Sequence, residues 1–282
     1  SIYYYLKYYY NDVVSVDKYS VYTIHKLNPK KYDHVFCLFS DFTLTYFYLQ
    51  KIKRLDLYNG YVKKLKTIKN LIPNLKLMEF ITDKCKYLDW LKQHGFPIIP
   101  TTCFKTQKLK TNQLIKLTNK KPQFLKSAFG LESKNTKYIN SNTNRENVSG
   151  YISYVKSQKY KQLISQNFMN NFATKENPEL RTMWVGTKYM YTIETESVGW
   201  PQKVRKKRLP SFVFKESQRA IVSIGKKFDT EMIVTRIDWG KGEKGYFINE
   251  IEYAGGTFAE RFPQTPKGWK VDAEIAKYIV SL

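Results

Sequence analysis

Two runs near the carboxyl end carry the reading of this chain. The first is Met232-Ile233-Val234-Thr235-Arg236-Ile237-Asp238-Trp239; the second, past Gly240-Lys241-Gly242-Glu243-Lys244-Gly245, is Tyr246-Phe247-Ile248-Asn249-Glu250-Ile251-Glu252-Tyr253. Both read as strands joined by that glycine-rich turn. Alternate side chains of a strand share a face, so Glu250 and Glu252 point together while Ile251 points away, and Arg236 pairs with Asp238 in the same way. If the strands are neighbours, three carboxylates and one guanidinium converge on one sheet face. Crowded anions require a cation, and carboxylate oxygens with phosphate oxygens and water are the donor set magnesium prefers. The same short pattern also fits a solvated hairpin with unconnected acids, so the rest of the chain has to decide.

The 282 residues, 42% apolar and 16% aromatic, suffice for one large domain or two to three small ones and exclude a disordered or fibrous chain. No apolar run approaches the ~18 residues of a membrane-spanning helix. The opening Ser1-Ile2-Tyr3-Tyr4-Tyr5-Leu6-Lys7 lacks the basic-then-apolar order of a signal peptide, and the absence of an initiator Met suggests a trimmed chain. Cys37, Cys85 and Cys103 are an odd count without C-x-x-C spacing, which argues against a disulfide framework or zinc site and for a reducing cytoplasm. His25, His34 and His94 are scattered, not spaced as ligands.

A formal charge of +24 attracts nucleotides, polyphosphates, acidic peptides or nucleic acid. Only eight of the 48 bases are arginine, however, and such lysine richness is equally what an A/T-rich coding sequence produces, so charge does not name the partner.

Reading outward, the Tyr-rich opening suits aromatic packing more than a base-stacking platform. A strand over 34–39 and amphipathic helices over 42–65 make a small α/β unit to about residue 80. Thr82 and Asp83 cap a helix through Leu91, ending near Gly95 before an extended 97–100 segment. A strand over 122–126 enters the small-residue turn Ser127-Ala128-Phe129-Gly130, and a strand at 137–139, a helix over 148–158 and a strand over 162–168 follow. A hairpin turns at Gly186-Thr187, a basic loop spans 200–210, and apolar spacing marks a helix over 217–228.

Taken in order, Thr82-Asp83-Lys84, Gly95-Phe96-Pro97-Ile98-Ile99-Pro100-Thr101, Phe124-Leu125-Lys126, Ile164-Ser165-Gln166-Asn167-Phe168-Met169, Glu179-Leu180-Arg181 and the two carboxyl-end strands resemble the ATP-grasp superfamily over about residues 80 to 262. The resemblance implies an α+β ATP-grasp fold whose two lobes sandwich ATP: an N-terminal α/β domain over 1–80, a central lobe over 81–165 and a C-terminal lobe with the metal site over 166–282. Lys84 and Lys126 then match the lysines that hold ATP phosphates. Gln166, Phe168 and Met169 match the adenine-lining hinge, although members often carry Glu where this chain has Asn167. Glu179 matches the ribose ligand, and Asp238, Glu250 and Glu252 match the Mg2+ triad, with Glu252 at a position that is often Asn in D-alanine:D-alanine ligases and ribosomal-protein glutamate ligases.

Arg236, Arg181 and Lys126 become the catalytic cations, with a surface ion pair an equal reading of Arg181. Gly255-Gly256-Thr257 fits an oxyanion loop or a simple tight turn. Lys203-Val204-Arg205-Lys206-Lys207-Arg208 fits a clamp on ATP or an acidic substrate, a nuclear address, or a solvated run. The activity implied is an ATP-dependent carboxylate–amine ligase working through an acylphosphate on an amino acid, peptide or protein side chain. Its partners are ATP, Mg2+, a carboxylate substrate and an amine acceptor, with no membrane, in the cytoplasm. Two other readings stay open: an ATP-grasp kinase of a polyanion such as an inositol phosphate, and a non-catalytic basic module that binds nucleic acid.

Overall fold

The structure, a computed structural model, describes the chain apart from residues 1, 11, 14, 16, 39–41, 130–135, 158–160, 197–201, 206 and 254–265. A short helix α1 (Ile2–Tyr9) opens the chain, followed by β1 (Val35–Phe36), α2 (Phe42–Lys51), α3 (Leu55–Leu65), β2 (Leu71–Ile72), α4 (Leu75–Thr82) and α5 (Lys84–Gln93). The expected strand over 34–39 is thus only two residues long, pairing in parallel with β2. The helices expected over 42–65 are α2 and α3, separated where Lys53 takes a left-handed φ of 57°. Asn74 caps α4 by accepting from the Leu77 amide, and Asp83 caps α5 by accepting from the Cys85 and Lys86 amides, as the Thr82-Asp83 pair leads one to expect.

Next comes a four-stranded sheet in the order β3-β6-β4-β5, built from β3 (Thr101–Lys105), β4 (Gln123–Ser127), β5 (Lys137–Ile139) and β6 (Gln162–Asn167). Helices α6 (Thr111–Thr118) and α7 (Arg145–Ser157) belong to the same unit, and Leu114, Leu125, Ile139, Val148, Ile152 and Leu163 form their shared core. The second sheet is antiparallel, ordered β11-β10-β7-β8-β9, from β7 (Glu179–Val185), β8 (Lys188–Thr195), β9 (Gln202–Val204), β10 (Val234–Gly242) and β11 (Gly245–Glu252). Helix α8 (Ser211–Phe228), six residues longer than its apolar spacing alone marks out, buries Val213, Ala220, Ile221 and Ile224. Trp239 of β10 donates to Ser217 of α8 at 3.0 Å beneath that stripe.

The chain ends in α9 (Pro266–Val280), which packs on α1 through Ile2, Leu6, Val271, Ile275 and Ile279, so the opening tyrosines are carried on a helix with one apolar side. Contacts between the sheets' units include two in the 94–97 segment. The Ile248 amide donates to Pro97 O at 2.7 Å, and Arg219 of α8 stacks 3.6 Å over Phe96 while donating to the carbonyls of His94 and Gly95. The β10–β11 connection is tighter than the six-residue turn in the sequence reading, because Gly242 still pairs with Gly245 and only Glu243 and Lys244 turn the chain. Gly242 lies against the terminal methyl of Met169, where the segment after β6 meets this hairpin.

One expectation is corrected outright. Cys85 on α5 and Cys103 on β3 form a disulfide, with Cα atoms 5.9 Å apart, while Cys37 is buried outside any disulfide, its Sγ 3.2 Å from the Tyr61 hydroxyl. An odd cysteine count hides one pair as easily as none, and the argument for a reducing compartment loses its ground. Among the described residues no helix is long and apolar enough to cross a membrane.

Candidate functional site

Strand pairing brings the acids together. Arg236 lies opposite Glu252 and Asp238 opposite Glu250, so the four charged side chains share one face of the β10–β11 ladder. The ladder slips after Asp238, where Trp239 pairs with Ile248 and leaves Asn249 as an extra residue. This bulge re-aims the Asn249 amide, which donates to Glu179 Oε1 at 2.8 Å. On the other side of β10, Asp238 faces Arg181 of β7. Arg181 donates to Glu179 Oε2 at 2.8 Å, and Thr195 donates to the same oxygen at 3.1 Å. Glu179 is therefore a buried carboxylate met by three protein donors.

Arg236 clasps Asp238 with two bonds of 2.8 and 2.9 Å and reaches Glu252 with a third of 2.7 Å. From a different element, Lys84 at the first position of α5 places Nζ 2.8 Å from Glu250 Oε1. Its backbone amide also donates to Ala128 O, just past β4, which carries Lys126. Lys84, Lys126, Arg181, Arg236, Glu179, Asp238, Glu250 and Glu252 thus form one interacting cluster from α5, β4, β7, β10 and β11. The solvated-hairpin alternative does not hold, since Asp238 is only 2% exposed.

Burial pushes Asp238 up to about 6, with Arg236 pulling the other way. For Glu250 burial is outweighed by Lys84, Lys126 and Arg236, which bring it down to about 2. Desolvation also lowers Lys126, opposed by Glu250 and reinforced by Lys84. The cluster is consequently neutralised from within: Arg236 and Lys84 occupy the carboxylates, and among the described residues no three His, Cys, Asp or Glu side chains stand as a ready metal-ligand group.

The hinge residues lie at the end of β6. Gln166 is buried and donates to Thr101 Oγ1 at 3.1 Å, Phe168 is part-exposed and meets Tyr138 edge-on at 4.8 Å, and Met169 packs on Gly242. Asn167, which departs from the family pattern, accepts from Gln123 at 3.0 Å and so serves the sheet itself. In the basic run, Arg205 is held by Glu194 and by the Arg208 carbonyl; Gly130, Lys206 and Gly255-Gly256-Thr257 lie outside the described residues.

Sequence reasoning missed Asn249 because a two-residue alternation cannot show a bulge, and missed Tyr87 because its importance is a matter of place. Tyr87 on α5 is wholly buried, and its hydroxyl has no hydrogen-bond partner among the described residues.

No protein-family model matches the sequence, and no curated protein is significantly similar to it. Solved structures are. The D-cycloserine synthetase DcsG superposes with a TM-score of 0.66 at 16% identity, over 90% of this chain and 85% of that one. The ATP-grasp ligase PsnB with minimal precursor, Mg and ADP gives 0.54 at 12% identity, over 83% and 72%. The D-alanine–D-alanine ligase of Bacillus anthracis complexed with ATP gives 0.52 at 14%, over 74% and 70%. What this chain shares with them is the ATP-grasp fold.

Proposed function

We propose that this chain, which has the ATP-grasp fold, is an ATP-dependent carboxylate–amine ligase acting on an amino acid, a peptide or a protein side chain. The observation that carries the reading is the single cluster in which Lys84 and Lys126 meet the face bearing Asp238, Glu250 and Glu252, with Arg236 and Arg181 between them. The donor chemistry fits Mg2+ and a triphosphate: hard carboxylate oxygens on one side, ammonium groups on the other, and an unpartnered Tyr87 hydroxyl buried beside them. ATP would supply the γ-phosphoryl group that turns an unreactive substrate carboxylate into an acylphosphate, leaving ADP, and an amine then displaces free phosphate; Mg2+ would offset the charge on the phosphates.

The chain's own residues do the rest. Lys84 exchanges Glu250 for a phosphate oxygen, and the half-buried Lys126 adds a second positive charge there. Asp238, Glu250 and Glu252 are the ligands proposed for the metal, which requires Arg236 to loosen its hold on Asp238 and Glu252. Arg236 and Arg181 are then free to face the charge that develops during transfer. Gln166, Phe168 and Met169 line the adenine, and Glu179, oriented by Asn249, Arg181 and Thr195, faces the ribose in this reading. Specificity for the carboxylate and the amine rests on other residues, since a fold does not fix a substrate.

The test is a screen for ADP release in Mg2+ over amino acids, dipeptides and inositol phosphates. A ligase yields ADP, an equal amount of free phosphate and an acyl conjugate of the expected mass. An acceptor one phosphate heavier, with no free phosphate, replaces the ligase with a kinase. Salt-steep nucleic-acid binding without ATP consumption removes both.

A further inference from the structure

Tyr87 follows Lys84 by three residues on α5, so the two side chains leave the helix on neighbouring positions of one face, and Lys84 already reaches Glu250. Tyr87 is completely buried, and among the described residues no group hydrogen-bonds its hydroxyl. The backbone of Ile251 on the edge strand β11 approaches that oxygen outside hydrogen-bond geometry. Ile251 lies between Glu250 and Glu252, whose side chains share the site face, so the phenol end stands beside the acidic ladder. Folded proteins leave few buried hydroxyls unbonded, because the lost hydration is not recovered.

Resting on the ligase reading above, we infer that Tyr87 is a positioning residue of the metal site: its hydroxyl donates to the Glu250 carboxylate when Lys84 leaves that carboxylate for a phosphate. Lys84 holds Glu250 in the resting protein, and a second donor takes over when the lysine turns away. A carboxylate fixed in this manner keeps one oxygen aimed at the metal, which is the service that outer partners perform for metal ligands in general. Burial, with Glu250 next, raises the phenol well above an ordinary tyrosine, so the group keeps its proton and acts as a donor.

Tyr87→Phe removes one oxygen and keeps the ring. With no hydrogen bond to it among the described residues, the hydroxyl adds little to the ligand-free fold, so the ligand-free variant should unfold at the same temperature as the parent or higher. The decisive measurement is the thermal shift produced by ADP alone and by ADP with increasing Mg2+. The variant should keep the shift given by ADP alone and need about tenfold more Mg2+ to reach half of the metal-dependent shift. A parent and variant with the same Mg2+ midpoint overturn the inference while leaving the ligase reading in place. A ligand-free variant that unfolds at a lower temperature also overturns it, since the hydroxyl is then a structural partner. A parent protein that shows no shift with ADP or Mg2+ and ADP overturns the nucleotide-site reading, and this inference with it.

Discussion

Lys84 Nζ stands 2.8 Å from Glu250 Oε1, so an ammonium at the start of α5 neutralises a carboxylate near the end of β11. Both side chains are largely buried, which makes the pair costly to break by halves. In the proposed ligase a nucleotide phosphate competes with Glu250 for this lysine, while a metal ion competes with the lysine for Glu250. The two ligands therefore help each other: each leaves the other's protein partner free.

Glu250→Gln separates these roles. The lysine is released from its ion pair, so metal-free ADP should bind at least as tightly as to the parent, while the enhancement by Mg2+ disappears and turnover falls by about 100-fold or more. Calorimetric titration with and without Mg2+ reads both effects. Lys84→Met should do the opposite, weakening ADP by about tenfold or more in either condition. Unchanged ADP affinity in Lys84→Met counts directly against a phosphate-binding lysine.

Asp238 and Arg236 are a buried bidentate pair. Asp238→Leu alone strands the guanidinium and should cost about 3 kcal/mol in urea unfolding, whereas Asp238→Leu combined with Arg236→Met should recover much of that loss. Turnover should be abolished in both proteins, because recovering stability does not recover the charges. Strict additivity of the two single losses would show that the pair is not coupled.

The Cys85–Cys103 bond closes a short loop, with a sequence separation of 18, that contains the 97–98 segment lying against β11. Chain-entropy reasoning gives about 3 kcal/mol for a loop of this size, so dithiothreitol should lower the melting temperature by several degrees. Thiol titration in denaturant should find one free thiol, Cys37, before reduction and three after it. Three free thiols in unreduced protein would remove the bond.

Arg219 crosses from α8 to Phe96 and the carbonyls of His94 and Gly95. Part-exposed stacking of this kind is worth about 1 kcal/mol, so Arg219→Ala should lower the melting temperature by about 2 to 4 °C. Arg219→Lys should recover little of it, because an ammonium cannot both lie flat on the ring and reach two carbonyls. Equal melting temperatures for the parent and Arg219→Lys would show that charge alone suffices.

Much of the acidic ladder was legible in the chain. Strand periodicity placed Glu250 and Glu252 on one face and Arg236 with Asp238, and the pairing of β10 with β11 realises that arrangement. Local signals also located the Asp83 cap, the Gly186-Thr187 hairpin and α8. Helix α9 had a signal that went unused, since Val271, Ile275 and Ile279 recur at four-residue spacing. Helix α6 and strand β3 are short elements whose patterns are weak in isolation.

The sequence by itself determined the alternation of charge along two strands and the order of short motifs, because strand and cap preferences are local and act over a few residues. Only the tertiary structure decided that Lys84 meets Glu250, that Cys85 bonds Cys103, that a bulge turns Asn249 toward Glu179, and that the Tyr87 hydroxyl is buried with no hydrogen bond among the described residues. Each of these depends on groups far apart along the chain or on one residue slipping out of register, and what brings them together is the burial of shared apolar surface between α5, α8 and the β10–β11 hairpin.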